Sequence, residues 1–137
     1  MSFIVEASLA AAWMLPDEHS DAAHRLMLAL KAAPGLVPTL FWPEMRNLFV
    51  MAERRERIAR GEAVPMMLRL RGLPLADLGM GSDSPVLGLA VKHNLTAYEA
   101  CYLFFALDRT VPLATLDRGL AEAARSEHIE LLGPLAP

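Results

Sequence analysis

Five short apolar runs recur along the chain with stretches of helical length between them: Phe3-Ile4-Val5, Leu36-Val37-Pro38, Leu73 to Leu78, Val111 to Leu116, and Ile129 to Leu132. Crossovers of that length return the chain to lay the next strand parallel to the last, so the pattern predicts an α/β fold. The architecture expected is a three-layer α/β/α sandwich with a mostly parallel central sheet. An apolar fraction of 54% against 21% charged suits strands covered on both faces. At 137 residues one domain is expected, over 1–133, with 134–137 as a tail. Pro74 demotes the third run to the edge of the sheet.

The intervening stretches carry helix signals. Ser8 opens an Ala- and Leu-rich helix that Pro16 ends, and Glu18 to Lys31 places Ala22, Ala23, Leu26, Met27 and Leu30 on one face. Pro43 fits the first position of a long helix, with Glu44 in its favourable first turn. Glu62 to Arg71 reads as a helix interrupted near its start by Pro65, and Ser82 or Ser84 caps another from Pro85 to His93. Thr96 and Glu99 form an S/T-x-x-E capping box ahead of Tyr102, Leu103 and Ala106. A last helix runs from Gly119 to Arg125.

Four acids then stand at comparable places. Glu6 closes the first strand and Asp117 follows a later one, while Glu44 and Glu99 lie in first helical turns. Ligands of open α/β sheets sit just beyond the carboxyl ends of strands. Carboxylates gathered there without Lys or His repel one another, and burial raises their pKa, so the cluster costs stability unless a cation joins it. A hard divalent ion takes oxygen ligands and commonly adds substrate phosphates, which points to phosphodiester cleavage. Each acid also has a plainer reading: Glu99 in its capping box, Glu44 in a dipole-favoured turn, Asp117 as an N-cap, and Glu6 as a surface strand end. Ser8 and Thr115 are candidates to hydrogen-bond the carboxylates, or simply to cap and turn.

Four segments together, Ile-Val-Glu-Ala-Ser, Pro-Glu-Met-Arg-Asn-Leu with Glu-Arg-Arg-Glu-Arg-Ile downstream, Leu-Thr-Ala-Tyr-Glu-Ala-Cys-Tyr-Leu, and Leu-Ala-Thr-Leu-Asp-Arg-Gly-Leu, resemble a PIN-domain ribonuclease of the VapC toxin type. The resemblance covers essentially the whole chain, in order. It implies a Mg²⁺-dependent endoribonuclease, with Mn²⁺ as an alternative ion, that is a homodimer and is inhibited by a VapB-type antitoxin. It places the family's four acids on Glu6, Glu44, Glu99 and Asp117, with Glu6, Glu99 and Asp117 toward the metal. Ser8, Asn47 and Thr115 become their polar companions. The family usually has Asp at the first and third acid positions. Glu6 and Glu99 keep the charge but carry it one methylene, about 1.5 Å, further out. Mg²⁺ demands near-ideal octahedral geometry, so the resemblance admits a second outcome, a module that binds antitoxin or RNA without cleaving it.

Seven of the thirteen Lys and Arg residues, Arg46, Arg54, Arg55, Arg57, Arg60, Arg69 and Arg71, crowd into positions 46–71 with only Glu53, Glu56 and Glu62 as acids. Arg46, Arg54, Arg55 and Arg57 are candidates to contact RNA phosphates or an acidic antitoxin segment. The plainer expectation is a solvated helix end with Glu53–Arg57 and Glu56–Arg60 pairs. A formal net charge of -3 argues against nonspecific coating of nucleic acid. Cys101 is the sole cysteine and is expected as a buried, unreactive thiol. The four histidines do not have zinc spacing and are expected at the surface. No stretch approaches the ~20 apolar residues of a membrane span, and the N-terminal run carries Glu6 without a basic leader. A cytoplasmic location is therefore expected.

Overall fold

Ile4 pairs in parallel with Leu36 on one side and Leu113 on the other, which makes the first strand the centre of the sheet. The computed structural model describes all 137 residues, Met1–Pro137. In chain order the elements are β1 (Ile4–Val5), α1 (Ala7–Met14), α2 (Asp21–Ala29), β2 (Gly35–Val37), α3 (Phe41–Arg54), α4 (Ala63–Arg71), β3 (Leu75–Asp77), α5 (Asp83–His93), α6 (Ala97–Arg109), β4 (Leu113–Ala114), α7 (Arg118–Ser126) and β5 (Leu131–Leu132). All strand pairs are parallel, in the order β3-β2-β1-β4-β5. Helices cover both faces, giving the expected three-layer α/β/α sandwich, and the segment after Pro74 lies at the edge.

The chain leaves β1 toward β2 and β3 and later returns to lay β4 on the other side of β1. The topological switch point therefore falls between β1 and β4, where a crevice opens beyond the carboxyl ends of the strands. Glu6 and Asp117 follow those two strands. Helix contacts sort into two sets, α1 to α4 and α5 to α7, as right-handed crossovers on opposite faces require. Ile4, Val5, Leu113 and Ala114 are fully buried between them. A side chain at Gly35 would force its neighbours to shift: a Cβ there would lie 2.8 Å from a Val5 methyl and 2.9 Å from a Leu75 methyl.

Several boundaries differ from expectation for local reasons. Residues Pro16–Glu18 form a 3₁₀ turn, and α2 starts only at Asp21, where Ser20 accepts from the Ala23 N–H and supplies the cap. Helix α3 starts at Phe41, two residues before Pro43, which the first turn tolerates because its N–H has no partner to lose. Pro65 sits in the first turn of α4 for the same reason. Helix α5 starts at Asp83 with Ser82 as N-cap residue, although the Ser82 side chain makes no capping bond. The Thr96–Glu99 capping box is present as expected.

Candidate active site

Glu6 occupies two roles at once. As N-cap of α1 it accepts from the Ser8 backbone N–H at 3.0 Å. The same carboxylate oxygen, Oε2, also accepts from the Ser8 hydroxyl and from Thr115 Oγ1, the latter at 2.8 Å. The two hydroxyls are held in turn: Ser8 Oγ accepts from Leu116 N–H at 2.8 Å and Thr115 Oγ1 from Asp117 N–H at 3.0 Å. Thr115 is fully buried. These bonds lace β1 and α1 to the segment after β4 across the switch point. Burial nevertheless lifts the Glu6 carboxyl above its ordinary value, against the three hydrogen bonds and with help from the charge of Asp117.

Asp117 is the N-cap of α7, its Oδ1 accepting from Leu120 N–H at 3.0 Å. Glu44, in the first turn of α3, accepts from the Tyr102 hydroxyl at 2.6 Å. Burial raises the Glu44 carboxyl too; the Tyr102 hydroxyl opposes this, while Glu6 and Glu99 add like charge. Glu99 is turned onto Thr96 at the start of α6. The electrostatic couplings thus run Asp117 to Glu6, Glu6 to Glu44, and Glu44 to Glu99. The four acids form a row in which each lies within electrostatic reach of the next, and none of them enters an ion pair.

An all-oxygen, uncompensated row has the donor chemistry of a hard divalent cation. As the side chains stand, no three His, Cys, Asp or Glu residues close on a common point that would hold an ion. Each carboxylate is engaged by a partner of its own: Glu6, Asp117 and Glu99 at the starts of α1, α7 and α6, and Glu44 by the Tyr102 hydroxyl.

No protein-family model matches the chain. Ribonuclease VapC3 of Pyrobaculum aerophilum is 33% identical over 126 residues, spanning 89% of this chain and 94% of its own length. The chain belongs to the VapC family of PIN-domain ribonucleases. The fold of this VapC-family chain is also similar to the crystal structure of PAE2754 from Pyrobaculum aerophilum, with a TM-score of 0.72, 24% identity, and coverage of 90% of this chain and 79% of that one. It resembles FitAcB from Neisseria gonorrhoeae with a TM-score of 0.56 and 14% identity, each chain covered to 98%.

The basic segment of this VapC-family chain differs from the solvated helix end expected. Helix α3 stops at Arg54, so Glu53–Arg57 and Glu56–Arg60 lose their helical spacing. Glu53 instead accepts from the backbone N–H groups of Gly61 and Ala63, which ties the α3–α4 loop to the helix and holds its carboxyl low. Arg57 reaches back to the 3₁₀ turn: its Nε and Nη2 donate to Asp17, both at 2.9 Å, and Nη2 also meets Glu18. Arg46, Arg54 and Arg55 remain exposed and unpaired by acids. Glu44, Asn47, Arg55 and Arg57 share the lining of a cavity of about 370 Å³ with Met51.

Two features escaped the sequence. Tyr102 read as an apolar-face residue, yet its hydroxyl serves Glu44; the one signal was its place three residues beyond Glu99 on the same helix. His93 is not a surface histidine: its side chain is 10% exposed and its Nε2 lies 2.6 Å from Glu127, which Lys92 also contacts at 2.7 Å. Cys101 is buried as expected, with its thiol pushed up to about 11, first by burial and then by the Glu44 charge.

Proposed function

We propose that this VapC-family chain is a divalent-metal-dependent endoribonuclease, the toxin of a type II toxin–antitoxin pair, cleaving RNA at the row Glu6, Glu44, Glu99 and Asp117. One observation carries the reading: Glu6 and Glu44 are neighbouring acids, both shifted toward protonation by burial and like charge, and neither is ion-paired with a cation of the protein. Glu6, Glu99 and Asp117 would hold Mg²⁺ or Mn²⁺. Such an ion neutralises the row, favours ionisation of an attacking water and stabilises charge building on the phosphate oxygens.

The chain's own residues do the rest. Ser8 and Thr115 fix one oxygen of Glu6, leaving Oε1 without a protein donor. Glu44 borders the cavity with Asn47 and is placed to accept a proton from a water entering there. Arg46, Arg54 and Arg55 supply charge for RNA phosphates or for an acidic antitoxin segment. Arg57 contributes by holding the loop that carries Arg55. The active form is a homodimer acting in the cytoplasm. No helix is long and apolar enough to cross a membrane.

The second reading, a module that binds antitoxin or RNA without turnover, is favoured by Glu99 being committed to its helix cap. RNA cleavage with Mg²⁺ or Mn²⁺ decides. Wild type is expected to cleave and to stop on chelation, and Asp117→Asn, which preserves the cap, to lose about 100-fold. Equal residual cleavage in the two proteins refutes the catalytic reading, and robust wild-type turnover excludes the silent one.

A further inference from the structure

Glu44 is the one acid of the row secured by a single side-chain contact from another helix. Glu6 has three donors and Glu99 has two, and Asp117 is fixed by the N-terminus of α7. Glu44 has only the Tyr102 hydroxyl, at 2.6 Å on Oε1. Tyr102 is 1% exposed and belongs to the main core cluster, so its ring has no room to swing. It stands one turn beyond Glu99 on α6, whereas Glu44 stands on α3, so the bond ties the two helix sets across the crevice end of the sheet. A buried phenol needs an acceptor, and a carbonyl would serve that need; here the acceptor is a carboxylate that feels the like charge of Glu6 and Glu99 and enters no ion pair.

We propose that Tyr102 is a positioning residue for the nuclease site: by donating to Oε1 it fixes the Glu44 carboxylate and leaves Oε2 available to the cavity shared with Asn47, Arg55 and Arg57. The positioning stands on geometry, and what the positioned carboxylate accomplishes rests on the nuclease reading above. Burial and the Glu44 charge push the phenol far above its ordinary range, so it remains a donor at any working pH.

Tyr102→Phe removes the donor and keeps the ring in the core. In the full-length, metal-free protein, the carboxylate NMR resonance of Glu44, assigned with Glu44→Gln, is expected to shift and broaden in Tyr102→Phe while that of Glu6 holds its position. An unchanged Glu44 resonance overturns the proposal. In single-turnover RNA cleavage Tyr102→Phe is expected to lose about tenfold, and to lose nothing further when added to Glu44→Gln. Additive losses would indicate a structural role only and overturn it as well. Should wild type cleave no RNA while the Glu44 resonance still responds, the positioning stands and the nuclease reading falls.

Discussion

Glu99 caps the helix that carries it. Its Oε1 accepts from the Thr96 backbone N–H at 3.1 Å and from the Thr96 hydroxyl at 2.8 Å, while the Glu99 N–H returns a bond to Thr96 Oγ1 at 3.0 Å. These bonds occupy Oε1 and hold the carboxylate against the start of α6, leaving Oε2 as its one oxygen without a protein donor. Stability of α6 and occupancy of the site therefore draw on the same carboxylate.

Glu99→Gln separates the two duties. Glutamine completes a capping box as glutamate does, so thermal denaturation should register a change of under about 0.5 kcal/mol. Calorimetric titration with Mn²⁺ should show affinity lowered about tenfold or more, since a formal charge has left the row. A Glu99→Gln variant that melts much earlier yet binds Mn²⁺ normally would assign Glu99 to the cap alone.

Glu6 makes the fold pH-sensitive in a direction opposite to that of most paired carboxylates. Its folded-state pKa is raised, so between the unfolded and folded values the native state binds more protons. Stability from this group falls as pH rises through that window, and above it the full cost of the buried charge is present. Glu6→Gln keeps an acceptor for Ser8 and Thr115 and sheds the charge. Its melting temperature should exceed that of wild type at pH 7 in a chelator, with the advantage vanishing below about pH 4. Added Mn²⁺ should raise the melting temperature of wild type and leave Glu6→Gln little changed. A lower melting temperature for the variant at neutral pH would contradict the uncompensated charge.

The strand and helix order was legible because the apolar runs and their Pro and Gly punctuation are local signals. So was the capping box, which lies within four residues. The four acids could be nominated because each sits at a strand end or first turn, but how each is held could not. Ser8 and Thr115 meet on Glu6 from positions 107 residues apart, and only the parallel pairing of β1 with β4 joins them. Arg57 illustrates the converse error. Helical spacing offered it Glu53, but α3 ends at Arg54, and the loop carries it instead to Asp17 and Glu18, 40 and 39 residues back. His93 likewise finds Glu127 only because α5 and α7 lie in the same helix set.

The Arg57 clamp also bears on the basic face. Its fork on Asp17 is bidentate, a geometry that Lys cannot reproduce. Arg57→Lys should leave the loop between α3 and α4 cut several-fold faster by a protease in the native protein, with the difference shrinking at high salt as the exposed wild-type pair is screened. RNA affinity should fall more on Arg55→Ala than on Arg57→Ala, because Arg57 is already occupied by acids. Equal losses would return Arg57 to the RNA-contacting set.

Shortening both unusual acids should trade stability for chemistry. Aspartate is a good N-cap, so Glu6→Asp can still receive the Ser8 N–H at the start of α1 while its carboxylate retreats by one methylene. At position 99 aspartate is too short to reach back to the Thr96 N–H as glutamate does, so the capping box opens and the carboxylate turns free toward Glu44. The double variant Glu6→Asp with Glu99→Asp should lose about 1 kcal/mol in denaturant unfolding, chiefly from the broken cap. With Mn²⁺ it should cleave RNA faster than wild type, by about tenfold, because the carboxylate at position 99 is no longer held against α6 by Thr96. A double variant that is as stable as wild type and no more active would mean that Glu99 never needed to leave its helix.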